Sequence, residues 1–283
     1  MNQNKSYPIV LTIAGSDSSG GAGIQADLKT FSALGVYGAT AITAITAQNT
    51  LGVKSQFALD PKLVYEQIIA VIEDLNPSVV KIGMLSNEKI VETVAKALSH
   101  YKLKIILDPV IVSSSGHRLL SLEAQETIKE RLLPMSELIT PNIPEIIALT
   151  GMPVSTFEEK EKAADYLLNL GVKSVLLKGG HEEGEIKTDF LFSRECKKTQ
   201  SQSPCQSQKF SSETIETNNI HGTGCTLSSA IAAFVARGLS LEDSISEAKK
   251  YVTEAIRNAA DIKIGHGFGP VNHFFNPQKM IVL

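Results

Sequence analysis

A glycine-rich turn with the sequence HGTGC, residues 221–225, leads into a long apolar helical stretch. A helix start leaves backbone N–H groups without internal partners, and such groups bind anions such as phosphate. The turn therefore predicts an anion hole formed by Gly222, Thr223 and Gly224. Cys225 stands at the helix start, where many phosphate-transferring enzymes have a carboxylate. We expect its thiol to lie beside the transferred group.

Four polar residues that suit phosphate chemistry follow apolar runs elsewhere in the chain. Asp108 in LDPV is suited to hold Mg²⁺ through water. Asn142 and Glu145 in TPNIPE form a second polar cluster for metal or phosphate, and Lys178 in LLKGGH is a candidate phosphate partner. Each also has a plain structural alternative, as a helix cap or a solvated surface charge. Together they predict a phosphoryl-transfer site.

Neither of two common nucleotide-binding motifs accounts for these residues. No Walker A sequence, G-x-x-x-x-G-K-[ST], occurs in the chain. Residues 21–26 match the dinucleotide fingerprint G-x-G-x-x-A. However, the loop from Gly15 to Gly21 is too long for the tight turn of that motif, and no acid ends the next strand. ATP, if it is used, must be held differently.

Apolar strands alternate with amphipathic helices along most of the chain. Hydrophobic runs predict strands at residues 8–15, 37–46, 78–83, 104–110, 137–140 and 174–180. Helical periodicity predicts helices at residues 23–34, 61–75, 87–101, 121–133, 144–151 and 159–171. Strands that are apolar on both faces predict an α/β fold with one largely parallel sheet covered by helices on both sides. We expect the site at the carboxyl ends of its strands, where six junctions carry polar or glycine residues.

A polar segment at about residues 193–212 interrupts this alternation. It is rich in Ser and Gln and poor in core-forming residues, so we expect a mobile surface excursion, with hairpin strands at residues 188–192 and 209–216. Cys196 and Cys205 fall in it, and two incidental exposed thiols are expected rather than a regulatory disulfide. Without an internal repeat or a clear linker, residues 1–283 are predicted to form a single domain.

The composition excludes several classes of protein. The net charge is −3, from 27 basic and 30 acidic residues, so no footprint for nucleic acid is present. No apolar run reaches the about 18 residues that span a bilayer. The N-terminal apolar run meets Asp17 too early for a signal peptide. Three cysteines without a C-x-x-C motif fit a reducing cytoplasm and argue against a disulfide scaffold or a structural zinc site.

Taken in order, these motifs resemble the hydroxymethylpyrimidine/phosphomethylpyrimidine kinases of thiamine biosynthesis, in the ribokinase-like superfamily. The matching blocks are IAGSDSSGGAGIQADLKTF, AITAQNT, KIGMLS, LDPV, LTPNIPE, LLKGGH, HGTGCTLSSAIAA and HGFGPVNHF. The resemblance implies a three-layer ribokinase-like fold, Mg²⁺ with ATP as co-substrate, and a homodimer. The implied reactions are phosphorylation of 4-amino-5-hydroxymethyl-2-methylpyrimidine and then of its monophosphate. Two stretches depart from the family pattern, the long excursion and the middle of LDPVIVSSSGHRLL.

The resemblance also implies roles for individual residues. Gln48 of AQNT is expected to recognise the pyrimidine, because an amide donor and acceptor match a ring nitrogen and its neighbouring amino group. Gly15, Asp27 and Met84 are expected to line the same pocket, with Met84 as an apolar wall. The residues implied for Mg-ATP are Lys178, Asn142 and Lys249 for the nucleotide, and Asp108 and Glu145 for the metal.

The cysteine at the helix start is compatible with this chemistry. Phosphoryl transfer passes through a loose transition state and makes little demand for a strong base. A helix N-terminus lowers a thiol pKa from about 8.5 toward neutrality, so we expect Cys225 to accept the hydroxyl proton late in the reaction. A thiol also avoids a permanent carboxylate beside an acceptor that already carries phosphate.

Two other functions stay open at this point. One is a pyridoxine/pyridoxal kinase, since vitamin B6 is also a nitrogen heterocycle with a hydroxymethyl group. The other is a non-catalytic pyrimidine-binding sensor. Asp108, Lys178 and Cys225 are all present, which argues against a sensor because a sensor has no need of all three.

Overall fold

A largely parallel sheet forms the centre of the molecule. The computed structural model describes residues 5–112, 119–180, 184–194 and 206–283. The strands in these residues are β1 (Ile9–Asp17), β2 (Tyr37–Asn49), β3 (Gly52–Ala58), β4 (Val79–Ile82), β5 (Lys104–Leu107), β6 (Leu138–Ile139), β7 (Ser174–Leu177), β8 (Ile186–Ser193) and β9 (Gln206–Glu213). They lie in the order β3-β2-β1-β4-β5-β6-β7-β8-β9. The six central strands are parallel, whereas β3, β8 and β9 join antiparallel at the two edges.

Helices cover both faces of this sheet. Those described are α1 (Gly23–Ala33), α2 (Pro61–Leu75), α3 (Glu88–Leu98), α4 (Leu122–Thr127), α5 (Ile143–Thr150), α6 (Phe157–Asn169), α7 (Thr223–Ala236) and α8 (Leu241–Arg257). After α4 the chain continues through a π-helical turn, Ile128–Leu132, and a 3₁₀ turn, Leu133–Met135. One core layer packs between the sheet and α2 to α6, and the other packs between the sheet and α1, α7 and α8. The predicted three-layer α/β fold is confirmed.

Local sequence explains most of these elements. All four residues of β4 and of β7 are buried, as expected for strands covered on both faces. In α2, residues Val64, Ile68 and Ile72 are four apart and form its buried face. Two helices, α5 and α6, begin with complete capping boxes. No helix in the described ranges is long and apolar enough to cross a bilayer.

One strand was not predicted. The second strand continues to Asn49 and turns directly into β3, which pairs antiparallel with it from Ala44–Ala58 to Asn49–Gly52. The residues of β3 are mostly exposed, and no alternation of apolar and polar side chains marks them. An edge strand with two solvated faces has no such pattern to detect. This hairpin extends β2 through Gln48 to Asn49.

The strand predicted at residues 209–216 of the polar excursion begins earlier in the structure, at Gln206. Residues 206–212 belong to β9, which pairs with β8 from Ser193–Gln206 to Ile186–Glu213. Phe210 is buried against the core, and the outward positions of this edge strand are polar, which explains why its composition suggested a loop. The hairpin predicted from residues 188–192 and 209–216 is confirmed. Cys196 and Cys205 lie outside the described residues, as does the middle of the other departing stretch, residues 113–118.

Candidate active site

A cavity of about 640 Å³ lies at the carboxyl ends of the parallel strands. The predicted site residues that line it are Gly15, Gln48, Met84, Asp108, Asn142, Glu145, Lys178, Gly222, Thr223, Gly224, Cys225 and Lys249. They come from most of the strand ends and from the starts of α5 and α7. Parallel strands bring these junctions to one edge of the sheet, as the sequence indicated.

A charged cluster forms one part of the cavity. Asp108 follows β5, Lys178 follows β7, and the two meet with a distance of 3.0 Å between Lys178 Nζ and Asp108 Oδ1. The Glu145 carboxylate is 3.7 Å from the same amine. Thr140 donates a hydrogen bond to Asp108 at 3.0 Å, and Ser228 of α7 donates another at 3.2 Å. Hydrogen bonds from the residue after β6 and from α7 therefore hold the Asp108 carboxylate in place.

The pKa values in this cluster follow from burial and from an imbalance of charge. Burial raises the pKa of Asp108, but Lys178 and Lys81 outweigh this effect and hold that pKa below its usual value. Burial lowers the pKa of Lys178, but Asp108 and Glu145 outweigh it and the net pKa is raised. Burial raises the pKa of Glu145 to about 7; Lys178 opposes this rise and Asp108 adds to it. Two buried carboxylates thus share one nearby lysine.

The helix-capping alternative also holds for Asn142 and Glu145. The Asn142 side chain accepts a hydrogen bond from the Glu145 backbone N–H at 2.8 Å. In return, Glu145 Oε2 accepts from the Asn142 backbone N–H at 2.8 Å. This capping box orients the Glu145 carboxylate at the start of α5, where it also faces Lys178. Capping and a role in the site are therefore compatible for these two residues.

The fifth residue implied for Mg-ATP, Lys249, has a partner that the sequence did not suggest. Its amine is 2.7 Å from a carboxylate oxygen of Asp189, in β8. Asp189 is buried and also accepts a hydrogen bond from the Gly179 backbone N–H at 2.9 Å. The pair connects α8 and β8 at the cavity wall. Asp189 was missed because it lies within an apolar strand pattern, TDFLF, with no motif around it.

The start of α7 provides backbone donors for the predicted anion hole, but fewer of them than expected. Gly222 precedes the helix with a φ of 82°, and a Cβ atom there would lie 1.8 Å from the Gly21 carbonyl oxygen, so only glycine fits. The Thr223 N–H donates to the Ile220 carbonyl at 3.2 Å. The N–H groups of Gly224 and Cys225 follow it in the first helical turn, where no acceptor exists within the helix. They are the donors best placed for an anion.

The Gly224 backbone in this turn lies beside the charged cluster. A Cβ atom at Gly224 would lie 3.4 Å from Lys178 Nζ and 3.9 Å from a carboxylate oxygen of Asp108. Because Gly224 has no side chain, the α7 backbone lies close to the Lys178 amine and the Asp108 carboxylate. Backbone donors, a cation and a carboxylate converge on one region of the cavity, as phosphoryl transfer requires.

The predicted thiol pKa near neutrality is wrong. Burial raises the pKa of Cys225 to about 11; Lys81 opposes this rise, and Asp27 and Asp108 add to it. A backbone hydrogen bond from Gly23 also favours the thiolate, but it does not compensate for burial. Cys225 is consequently a neutral thiol at neutral pH. The helix start lowers a thiol pKa only where burial does not dominate.

The predicted place of Asp27 is also wrong. Asp27 is fully buried beneath the cavity, where Lys81 Nζ lies 2.9 and 3.0 Å from its two oxygens. The hydroxyls of Thr12 and Ser229 each donate to it at 2.6 Å. Asp27 lies on the inward face of α1, so its carboxylate joins α1, β1, β4 and α7 instead of lining the pocket. Lys81, which the sequence did not single out, does line the cavity.

Gly15 and Met84 meet as predicted in the wall near Gln48. A Cβ atom at Gly15 would lie 2.6 Å from the Met84 sulfur, so the glycine leaves the space that the methionine occupies. Met84 is buried and packs with Ala44. The backbone of Gln48 is held by the Ser18 hydroxyl, which donates to its carbonyl and accepts from its N–H, both at 2.8 Å. The loop after β1 therefore positions the end of β2.

A buried pair beside Gln48 was missed. His221 Nε2 is 2.8 Å from Asp17 Oδ2 and 3.4 Å from the Gln48 side-chain amide. Burial raises the pKa of Asp17, but hydrogen bonds from His221, Ser19 and Ala22 outweigh it, and that pKa lies well below its usual range. Asp17 is therefore ionised. The signal was available, since both residues stand inside the two most specific motif blocks, but the blocks alone do not show that the two meet.

Comparisons with known proteins identify the family of this chain. The phosphomethylpyrimidine kinase family model matches residues 17–272. The hydroxymethylpyrimidine/phosphomethylpyrimidine kinase of Escherichia coli K12 is 47% identical over 266 residues, which cover 93% of this chain and 96% of that protein. A phosphomethylpyrimidine kinase structure from Clostridium difficile 630 is 43% identical, with a TM-score of 0.75 over 88% of this chain and 99% of that one. An ADP complex of Bacillus subtilis pyridoxal kinase is 35% identical, with a TM-score of 0.84 over 95% and 98%. The chain belongs to the phosphomethylpyrimidine kinase family and is a kinase that uses ATP.

Proposed function

We propose that this kinase phosphorylates the hydroxymethyl group of 4-amino-5-hydroxymethyl-2-methylpyrimidine, and then the resulting monophosphate, in thiamine biosynthesis. One observation carries the proposal: the Gln48 amide, the start of α7 and the Lys178–Asp108 cluster line the same cavity. An amide suits an aminopyrimidine, and the other two groups suit a phosphoryl group in transfer. The name of the Escherichia coli relative, which gives both kinase activities, supports the same two substrates.

The reaction needs positioning and charge more than acid–base chemistry. In the first reaction the hydroxymethyl oxygen forms a bond to the γ-phosphorus, and in the second an oxygen of the acceptor's own phosphate does so. In both, the bond from the γ-phosphorus to the bridging oxygen breaks and ADP leaves. Lys178 and the N–H groups of Gly224 and Cys225 stabilise the charge on the transferred group. A neutral Cys225 thiol takes no proton at neutral pH, so the hydroxyl proton passes late to an oxygen of the phosphoryl group.

Magnesium fits the charge of the cluster. Asp108 and Glu145 are two buried carboxylates around one lysine, and carboxylate oxygens are ligands that Mg²⁺ prefers. In the described part of the chain, no three His, Cys, Asp or Glu side chains lie close enough together to hold a metal by themselves. These two residues would therefore hold Mg²⁺ together with water and the ATP phosphates. The bound ion would neutralise phosphate charge.

The test is ADP release measured with three acceptors: the aminopyrimidine, its monophosphate, and pyridoxal. We expect turnover with the first two and formation of the mono- and diphosphate in ³¹P NMR spectra, with little ADP release when no acceptor is added. Pyridoxal is the second candidate acceptor, and the TM-score of 0.84 with a pyridoxal kinase favours it. Turnover with pyridoxal and none with either pyrimidine would contradict the proposal. No turnover with any of the three would support the sensor hypothesis.

We further infer that the enzyme is a cytoplasmic homodimer. The dimer rests on the family resemblance, and the compartment rests on the pattern of three cysteines without a C-x-x-C motif. Sedimentation equilibrium of the purified chain tests the dimer, and a monomer at micromolar concentration would contradict it.

A further inference from the structure

The side-chain amide of Gln48 lies between two partners. Each partner can form a hydrogen bond with only one end of the amide, either its oxygen or its NH₂ group. On one side, Thr46 Oγ1 is 2.9 Å from the Ser16 carbonyl oxygen and 3.1 Å from the amide. The Ser16 carbonyl can only accept, whereas the amide can turn either end toward Thr46, so both contacts are hydrogen bonds only when the one hydrogen of the Thr46 hydroxyl goes to Ser16. Thr46 is then left to accept a hydrogen bond from Gln48. The end of the amide that faces Thr46 must be its NH₂ group.

On the other side the partner is His221. Its Nε2 is 2.8 Å from the Asp17 carboxylate, which is ionised and only accepts, so Nε2 carries a hydrogen. A nitrogen that carries a hydrogen accepts nothing from an amide NH₂ group. The end of the Gln48 amide that faces His221, at 3.4 Å, must therefore be its carbonyl oxygen.

These two requirements agree with each other and select one orientation. As placed, Gln48 turns Oε1 toward Thr46 and Nε2 toward His221. That arrangement leaves one hydroxyl hydrogen between two acceptors and sets two hydrogen-bearing nitrogens against each other. Oxygen and nitrogen of an amide are assigned from their hydrogen-bond partners, and a half-turn of the amide exchanges them without moving other atoms. The half-turn removes both conflicts.

We propose that Thr46 and the Asp17–His221 pair are positioning residues that set the polarity of the Gln48 amide and so direct the acceptor hydroxymethyl group toward the anion hole. The inference rests on the proposed function, in which Gln48 binds an aminopyrimidine. It adds the reason why the bound ring faces one way and not the other.

The chemistry of the ring makes this polarity decisive. In the acceptor, the amino group lies between a ring nitrogen and the carbon that carries the hydroxymethyl group. The amide oxygen accepts from the amino group and the amide NH₂ donates to the ring nitrogen. With the oxygen on the His221 side, the hydroxymethyl group extends toward His221, the residue directly before Gly222. A reversed amide would direct the hydroxymethyl group toward Thr46, away from the start of α7.

The surroundings hold both partners in place. Thr46 is 4% exposed, in the sheet. A Cβ atom at Gly21 would lie 2.4 Å from His221 Cδ2, so the glycine makes room for the imidazole. Asp17 also accepts from the backbone N–H groups of Ser19 and Ala22, each at 2.8 Å, which keeps the carboxylate directed at the imidazole. The pair is thus preorganised before an acceptor binds.

The test uses an acceptor analogue with the reversed hydrogen-bond pattern. In the 4-oxo analogue, 5-hydroxymethyl-2-methylpyrimidin-4(3H)-one, the ring nitrogen donates and the exocyclic oxygen accepts. The measured quantity is the ratio of kcat/KM for the amino acceptor to kcat/KM for the oxo analogue. Thr46→Val removes the hydroxyl and keeps the shape, whereas Thr46→Ser keeps the hydroxyl and is the matched control. We expect Thr46→Val to lower the ratio by about 10-fold or more, and Thr46→Ser to retain it.

A ratio is insensitive to partial unfolding, because both acceptors see the same fraction of folded enzyme. Equal ratios for Thr46→Val and Thr46→Ser, with the amino acceptor still phosphorylated, would overturn the inference and leave the proposed function intact. If the wild type phosphorylates neither acceptor, the proposed function fails instead. Long-range ¹H–¹⁵N NMR of His221 then decides the polarity independently: a hydrogen on Nε2 supports it, and an unprotonated Nε2 overturns it.

Discussion

The two ends of the cavity are built from different interactions. At the end proposed to bind the acceptor, Gln48 and Thr46 are neutral, and the nearby Asp17 carboxylate accepts hydrogen bonds from several donors. At the end proposed to bind the nucleotide, Lys178 and Asp108 form a buried ion pair, and the Glu145 carboxyl group lies close to the same amine. Directed hydrogen bonds between mostly neutral groups dominate the Gln48 end of the cavity. Interactions between charged groups dominate the Lys178 end.

This difference corresponds to what each end must recognise. A heterocycle is distinguished by where it donates and where it accepts, which only oriented neutral groups can detect. Phosphate groups are distinguished by charge, and they accept from any donor around them. Substitutions at the acceptor end should therefore change which acceptor is used, whereas substitutions at the nucleotide end should change turnover.

The largest effect is expected for Lys178→Met at the nucleotide end. Loss of the amine should lower kcat by about 100- to 1000-fold, because it removes a donor to the transferred group. It should also lower the melting temperature, since Asp108 is left buried without its cation. Steady-state kinetics and calorimetric titration with the aminopyrimidine are the measurements, and the acceptor Kd should stay unchanged.

Lys173→Met is the control for that change. Lys173 directly precedes β7, whereas Lys178 directly follows it, and the exposed amine of Lys173 contacts Glu137. It should retain near wild-type kcat. If Lys178→Met also weakens binding of the aminopyrimidine by a similar factor to the loss of kcat, the two ends of the cavity are not independent.

The next largest effect is expected for Gln48→Glu at the acceptor end. A carboxylate keeps the acceptor and loses the donor, so the aminopyrimidine Kd should rise by about 5- to 150-fold, corresponding to about 1–3 kcal/mol. The Kd for ATP should stay within about two-fold, because the proposed nucleotide contacts are those of the Lys178–Asp108 cluster and not of Gln48. Gln56→Glu, an exposed change on the adjacent strand β3, is the control. A parallel loss of ATP affinity would indicate a misplaced pocket.

A smaller effect is expected for Cys225→Ser, where the two ends meet. A general base contributes about 100- to 10,000-fold to a rate, so a neutral thiol that takes no proton should cost less than about 10-fold in kcat when replaced. Alkylation of Cys225, followed by peptide mass mapping, should be slow at pH 7 and should rise until the pH reaches about 11. Rapid alkylation at pH 7 together with a large loss of kcat in Cys225→Ser would restore the proton-accepting role.

The smallest effect concerns Glu145 and the stability of the protein without nucleotide. The pKa of Glu145 is raised from 4.5 to about 7 by burial, so the folded protein holds this proton more tightly than the unfolded chain. The free energy of unfolding should therefore fall as the pH rises between these values. Glu145→Gln removes this term and keeps the capping oxygen. Its melting temperature should fall less than that of the wild type between pH 5 and pH 8, by about 4 °C.

Glu159→Gln is the matched control for Glu145→Gln. Glu159 has the same position in the capping box of α6 but is partly exposed, and its carboxylate accepts from the backbone N–H groups of Ser155 and Thr156. The pH dependence of its melting temperature should match that of the wild type. An identical pH dependence in Glu145→Gln would contradict the raised pKa.

Short-range sequence patterns determined most of the fold. The spacing of Val64, Ile68 and Ile72 predicted α2, and continuous apolar runs predicted the central strands. These elements depend on neighbouring residues, since helix and strand periodicity and capping all act over a few positions. The alternation of strand and helix then placed Asp108 and Lys178 at one edge of the sheet before any contact was known. The edge strands β3 and β9 were harder to detect because their exposed residues carry no such pattern.

Only the tertiary structure decided which residues meet and which of them are buried. His221 and Asp17 are 204 positions apart, and nothing local connects them. Asp27 was predicted to line the pocket because of its motif. In the folded chain, the packing of α1 places its carboxylate beneath the cavity, against Lys81. The pKa of Cys225 depended on burial, which the helix start alone does not reveal. Local geometry is set by bonds and neighbours along the chain, whereas contact, burial and charge environment are set by segments that meet only after folding.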